Sequence, residues 1–171
     1  MVQKGLTLIE MIISISLLCI IFLLITVLYS DTISMYIKNS IMQEIHQEAR
    51  HAMYIIERDV NTSDHIYVVK NEYFDTYENK YKEKTTLKMK SKEQNIEIYW
   101  EYKNGKKILY EKINDQPNPI TRALYNIDFY YYDNILTVNL STGRLDPMNK
   151  PKYIVFNISK LFYSKVLERC K

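Results

Sequence analysis

A single carboxylate, Glu10, stands at the head of an otherwise uncharged stretch. It closes the segment Lys4-Gly5-Leu6-Thr7-Leu8-Ile9-Glu10 and is followed by uncharged residues from Met11 to Ser30. An acid at the centre of a bilayer helix costs about 2.5–3.5 kcal/mol on insertion scales, and an acid in such a run is a functional hypothesis by default. Glu10 lies near one end of the run, so it reaches the interface at lower cost, and a helix N-terminus favours negative charge. Drawn into a bundle of apolar helices, the same carboxylate needs a cation, and an adjacent chain's terminal amine is one. The chemistry this spacing suggests is alignment by charge pairing.

The other residues with chemical potential make no catalytic constellation. His46, His51 and His65 are the only histidines. His46 and His51 are five apart, about 500° of helical rotation, and do not share a face for a metal. Asp133 and Asp146 lack the cluster of oxygen ligands that calcium requires. No glycine-rich phosphate loop or dinucleotide fingerprint occurs, so neither a cofactor nor nucleotide hydrolysis is expected. Cys19 lies in the apolar run and Cys170 beside the C-terminus, positions that argue against a disulfide between them. Glu57-Arg58-Asp59 is a charged triplet that could lock a helix to a neighbouring sheet or serve as local ion pairing at a helix end.

The elements that carry these residues follow from pattern. The run from Met11 to Ser30 spans about 30 Å as a helix, the thickness of a hydrocarbon core, and no second stretch approaches it. Beyond it, Ile33, Ile37, Ile41, Ile45, Ala52, Ile56 and Val60 recur at three- and four-residue spacing, with a gap near Ala49. Lys38, Gln43, Glu44, Gln47, Glu48, Arg50 and Glu57 take the other face. This is an amphipathic spine ended by Asn61-Thr62-Ser63. The spacing predicts one helix over about 6–60, apolar all round in its first half.

Seven short segments then read as strands: His65–Lys70, Thr85–Lys90, Asn95–Tyr102, Lys107–Lys112, Ile127–Tyr132, Ile135–Leu140 and Tyr153–Ser159. Asn104-Gly105 and Asp133-Asn134 are two-residue hairpin turns by composition. The stretch Asn71–Lys84 reads as a loop, and Gln116-Pro117-Asn118-Pro119 as an irregular connector. The 16 tyrosines suit strands in a chain of this bias, and adhesion equally. The formal charge is +3. From Ile66 to Gln116 there are eleven lysines against nine acids. Interleaved signs of this kind argue against a nucleic-acid surface, which needs clustered cations.

The segment Lys4–Glu10 resembles the processing motif of type IV pilins and type II secretion pseudopilins. The resemblance implies a leader, Met1–Gly5, removed after Gly5 by a prepilin peptidase, N-methylation of the new N-terminal residue Leu6, Thr7 as the second mature residue, and Glu10 as the assembly glutamate. Leu6 stands where the family usually has Phe. An ordinary secretory signal fits less well, because the apolar run is long and no small-x-small site follows it. Within the family, Glu48–Val60 (EARHAMYIIERDV), Ile120–Asn134 and Lys152–Ser159 resemble the pseudopilin J and PilW-type minor pilin group, in which a Glu-Arg-Asp triplet closes the spine.

The resemblance implies an α+β pilin fold, a long N-terminal helix on an antiparallel sheet. It divides the chain into a leader (1–5), a transmembrane and filament-core helix (6–30), a spine (31–62) and a β-rich head (63–171). It further implies a structural subunit, not an enzyme. The expected site is a single-pass position in the plasma membrane with the head outside the cytoplasm, and later a cell-surface filament. Its partners would be prepilin peptidase, sibling minor pilins, the major pilin and an inner-membrane assembly platform, in an assembly-initiating tip complex. A membrane-anchored binding domain and a DNA-uptake pseudopilin are the alternative readings.

Overall fold

The computed structural model describes residues 7–75, 80–92, 94–103, 106–133, 135–145 and 153–163. One helix, α1 (Leu8–Thr62), is followed by seven strands: β1 (His65–Asp75), β2 (Lys80–Lys90), β3 (Asn95–Lys103), β4 (Lys106–Ile113), β5 (Gln116–Tyr132), β6 (Ile135–Leu145) and β7 (Tyr153–Tyr163). The chain divides into two compact units, Met1–Ser40 and Ile41–Lys171.

In the first unit α1 is bare. Every residue from Thr7 to Thr32 is exposed, Leu, Ile and Phe included. Its hydroxyls turn back on the helix: Ser14, Ser16 and Thr26 donate to the carbonyls of Glu10, Ile12 and Phe22 at 2.8 Å each. Such bonds satisfy a polar group where no water is present, the condition for a helix inside a bilayer.

In the second unit the strands form a seven-stranded antiparallel meander in the order β1 to β7. The helix segment from Ile41 to Thr62 lies against one of its faces. Ile45, Ala49, Ala52, Met53, Ile56 and Val60 are buried, with Ile66, Leu87, Ile98, Leu109, Ile127, Phe129, Leu136, Val138 and Leu140 opposite them, all at most 1 % exposed. These strand residues alternate with outward-facing ones, as the two-residue period requires. Ala49, a gap in the apolar spacing, is fully buried, because a small side chain lets the backbones approach. The buried face begins at Ile45; Ile33 remains 38 % exposed.

All seven expected strands form, and two expected loops do not. Of the stretch 71–84, residues 71–75 and 80–84 are strand and not loop: β1 runs to Asp75 and β2 starts at Lys80, with every step in register from Asp75↔Lys80 to His65↔Lys90. Charged and tyrosine-rich residues hide a strand when the ribbon they form gains its order from backbone pairing.

Nor is the Pro-rich stretch a connector. Gln116–Pro119 is the start of β5 and pairs with Tyr110–Ile113. Two prolines two residues apart lack N–H groups on the same side, and β6 pairs with β5 only from Leu124 onward, so no ladder bond is lost. The turn between β4 and β5 is Asn114-Asp115, with φ of 46° and 70°; Asn and Asp tolerate this left-handed region better than other side chains. Asp133 has φ of 52°, as a hairpin turn there requires. Asn104-Gly105 lies outside the described residues, and the pair Lys103↔Lys106 brackets it.

The sheet curls. Register shifts at Leu109 in β4 and between Leu124 and Asn126 in β5 bend it. β2 pairs with β3 only over Leu87–Lys90, and the hydroxyl of Thr85 accepts from the Phe129 N–H of β5 at 3.2 Å. Gly143 sits where a Cβ would come within 3.0 Å of the Ile154 carbonyl oxygen. Ile56→Ala removes a fully buried side chain from the centre of this core. It should cost about 2–5 kcal/mol, measured by urea unfolding of the detergent-solubilised chain.

Candidate functional site

The first turn of α1 is built by its own residues. A helix leaves its first backbone N–H groups without partners. Here the Glu10 carboxylate folds back over the turn: its Oε2 accepts from the Thr7 N–H at 2.9 Å and from the Thr7 hydroxyl at 2.8 Å. The spacing Thr-x-x-Glu is half of a capping box, in which the acid three residues on reaches the N-cap amide. The sequence carries that signal in Thr7-Leu8-Ile9-Glu10, and it was passed over in favour of an intermolecular role for the acid. Gly5 and Leu6 lie outside the described residues.

The geometry divides the carboxylate. One oxygen is engaged within the chain and Oε1 carries no bond to a described residue. From there to Thr26 the helix presents apolar side chains, Cys19 and three hydroxyls bonded to its own carbonyls, with Tyr29 and Ser30 at the end of the run. It is long and apolar enough to cross a membrane. The family model described as the prokaryotic N-terminal methylation motif matches residues 1–26. That span holds Gly5, Leu6, Thr7, Glu10 and most of the apolar run, and it stops short of the head. The match supports a type IV pilin-like chain processed by prepilin peptidase. No curated protein and no solved structure matches the chain.

At the other end of α1 the charged triplet fans out. Glu57 meets Lys160 of β7 at 2.6 Å. Arg58 donates through Nε and an NH2 nitrogen to Oδ1 of Asp59, at 2.9 and 2.7 Å, and through the same NH2 nitrogen to Glu111 of β4. Asp59 and Glu111 are buried, while Arg58 keeps about half its side chain in solvent (46 %). A cation on the rim thus binds two acids that face the interior. Glu111 was missed in the sequence. The available signal was parity: it shares a strand face with Leu109 and Ile113, where an acid is out of place.

Asp59 is incompletely satisfied, since its Oδ2 is buried without a hydrogen-bond partner. Burial pushes its carboxyl up from 3.8 to about 7; the Arg58 hydrogen bond opposes that rise and the nearby Glu111 carboxylate adds to it. The remaining ties along the spine are Thr142, whose hydroxyl donates to the Ile45 carbonyl at 2.9 Å, and Arg144, which pairs with Glu44 at 2.6 Å. His46 stacks on Phe156 with ring centroids 3.7 Å apart. His51 is exposed, and His65 lies 6.5 Å from the Tyr67 ring.

Two outcomes follow. Replacing Thr7 with Ala removes the hydroxyl bond to Glu10 but keeps the amide bond, so helix content measured by circular dichroism should hold. Thr7→Pro, which removes the amide donor as well, should free the carboxylate, seen as a shifted Glu10 carboxyl signal in isotope-edited infrared spectra. Asp59 holds a proton in the folded chain that the unfolded chain releases between pH 3.8 and about 7. Its contribution to stability is therefore full below that window and declines as the pH rises through it. Asp59→Asn should flatten the melting-temperature profile across this window and melt no lower than the parent at pH 8.

Proposed function

We propose that the chain is a minor type IV pilin or pseudopilin of the J/PilW kind, made as a prepilin and cut after Gly5. The observation that carries this reading is the processing motif at residues 1–26 joined without a break to an exposed apolar helix. Cleavage before the apolar run leaves the hydrophobic helix in the product, the reverse of a secretory signal. Loss of Lys4 removes the charge that would hold the N-terminus at the cytoplasmic face. The new amine of Leu6, N-methylated, then sits about 6 Å along the axis from Glu10.

In the bilayer, Glu10 rests on the Thr7 amide and hydroxyl, which lowers its cost of insertion. In a filament whose core is packed helices, its free oxygen pairs with a neighbour's N-terminal nitrogen, and only one register brings the two together. The role is structural. Partners are the prepilin peptidase, the major pilin, sibling minor pilins and the inner-membrane platform, with a place in the assembly-initiating tip complex. The triplet Glu57, Arg58 and Asp59 acts as the lock between spine and sheet. The head lies outside the cytoplasm of a single-pass chain and moves to the cell surface with the filament.

Mass spectrometry of the protein isolated from producing cells should find Leu6 first, carrying one added methyl group; a product that retains Met1–Gly5 defeats the reading. Glu10→Ala should be cleaved as the parent is, while its recovery in sheared filaments falls about tenfold or more, the loss expected for an ion pair worth 1.4 kcal/mol or better. Unchanged recovery would leave a membrane-anchored binding domain as the better description.

A further inference from the structure

The two edges of the sheet are guarded differently. Natural edge strands are blunted by Pro, bulges or outward charges, because an open row of N–H and C=O groups recruits another strand. β1 carries Lys70 and Glu72, both exposed. β7 has fewer of these guards: neither Pro nor bulge, and a single charge. It pairs with β6 one-to-one from Leu145↔Tyr153 to Ile135↔Tyr163 with no register shift, and it contains no Pro. Its one charge, Lys160, belongs to the helix-facing set and is bound by Glu57 at 2.6 Å. Among the described residues, no hydrogen bond reaches the β7 backbone from its outer side.

The core is also unfinished there. On β6 the helix-facing Leu136, Val138 and Leu140 are at most 1 % exposed, whereas Ile154, Phe156 and Ile158 on β7 are only half-buried. On the opposite face Leu161 is 56 % and Tyr163 80 % exposed. One more strand beside β7 would cover both sets.

The sequence of β7, YIVFNISKLFY, says which strand. Read in both directions about Ile158 it matches itself chemically at every pair but one, Phe156 opposite Lys160. Tyr153 falls opposite Tyr163, Val155 opposite Leu161 and Asn157 opposite Ser159, with Ile158 on the centre. Aromatic–aromatic, apolar–apolar and amide–hydroxyl pairs are the cross-strand combinations that stabilise an antiparallel ladder, and no like charges meet. We propose that β7 is a self-association edge: the occupant is β7 of a second copy, antiparallel, related by a two-fold axis through Ile158. A two-fold interface needs one self-complementary patch, and this strand supplies it. The axis is normal to the sheet, so the two spine segments run in opposite directions across one widened sheet. Under the filament reading, the contact joins heads that meet from opposite directions, not successive subunits of one filament.

The register is testable with the full-length chain in detergent, Cys19 and Cys170 replaced by Ser. Directly opposed antiparallel residues have Cα atoms about 4.5–5.5 Å apart, within disulfide reach. A mixture of Asn157→Cys and Ser159→Cys chains should cross-link on mild oxidation, while either alone should not. By analytical ultracentrifugation, Leu161→Lys should weaken the dimer about tenfold or more by placing an ammonium against Val155 of the other copy. It should leave the melting temperature of the monomer unchanged, since Leu161 is exposed. A parent chain that stays monomeric over the accessible concentrations overturns the proposal and leaves the edge to a strand of another protein or to the chain beyond Tyr163. A dimer indifferent to Leu161→Lys overturns it too, and points to association through the apolar helices. Neither result bears on cleavage at Gly5, which is read separately from the N-terminal mass.

Discussion

A helix apolar on every side must be enclosed by something apolar, and the rest of this molecule depends on that constraint. From Leu8 to Ser30 no protein surface covers the Leu and Ile side chains. A bilayer meets the requirement, and so does a bundle of similar helices. The backbone is satisfied by helix formation itself, the hydroxyls of Ser14, Ser16 and Thr26 by the preceding turn, and the first-turn amide of Thr7 by Glu10. The polar groups left over, the remaining first-turn amides and the second Glu10 oxygen at one end and the Tyr29 and Ser30 hydroxyls at the other, lie at the ends of the apolar run, where they can reach an interface.

The second half of α1 works by different physics. There a single stripe is buried, and the sheet supplies the apolar surface opposite. Around that stripe the polar contacts fall at the rim: Glu44 with Arg144, Glu57 with Lys160, and Arg58 with Glu111. Rim ion pairs add little stability in water, but charges at set positions fix how far the helix can slide or rotate on a smooth apolar face. The buried Asp59 is the exception. Its unpartnered oxygen is a cost carried at the point where helix gives way to sheet. Thr62 and Ser63 donate their hydroxyls to the Asp59 carbonyl at 3.2 and 2.6 Å, so the same residue also anchors the helix terminus.

The head is a meander of neighbouring hairpins, each closed by local pairing, with curl introduced where registers shift. Such a sheet has two edges by construction, β1 and β7, each with a strand neighbour on one side among the described residues. On β7 the helix-facing Ile154, Phe156 and Ile158 are half-buried, and the one charge, Lys160, is held by Glu57.

Most of the architecture was legible from pattern. The apolar run, the amphipathic repeat and the seven alternating segments depend on local side-chain periodicity, which the chain order states directly, and the motif from Lys4 to Glu10 is contiguous. What failed were readings that took composition for conformation. Charged residues at 71–84 and prolines at 117 and 119 look like loops, yet a strand needs only a partner's backbone on one side, and which backbone lies alongside is a long-range fact. The partner of Arg58 is Glu111, 53 residues away in sequence, and no spacing rule connects them. The sequence alone determined what each segment could become, because helix and strand periods are local. The tertiary structure decided which acid is buried, which edge is open and where the stripe on α1 begins to be covered, because burial depends on what the rest of the chain brings alongside.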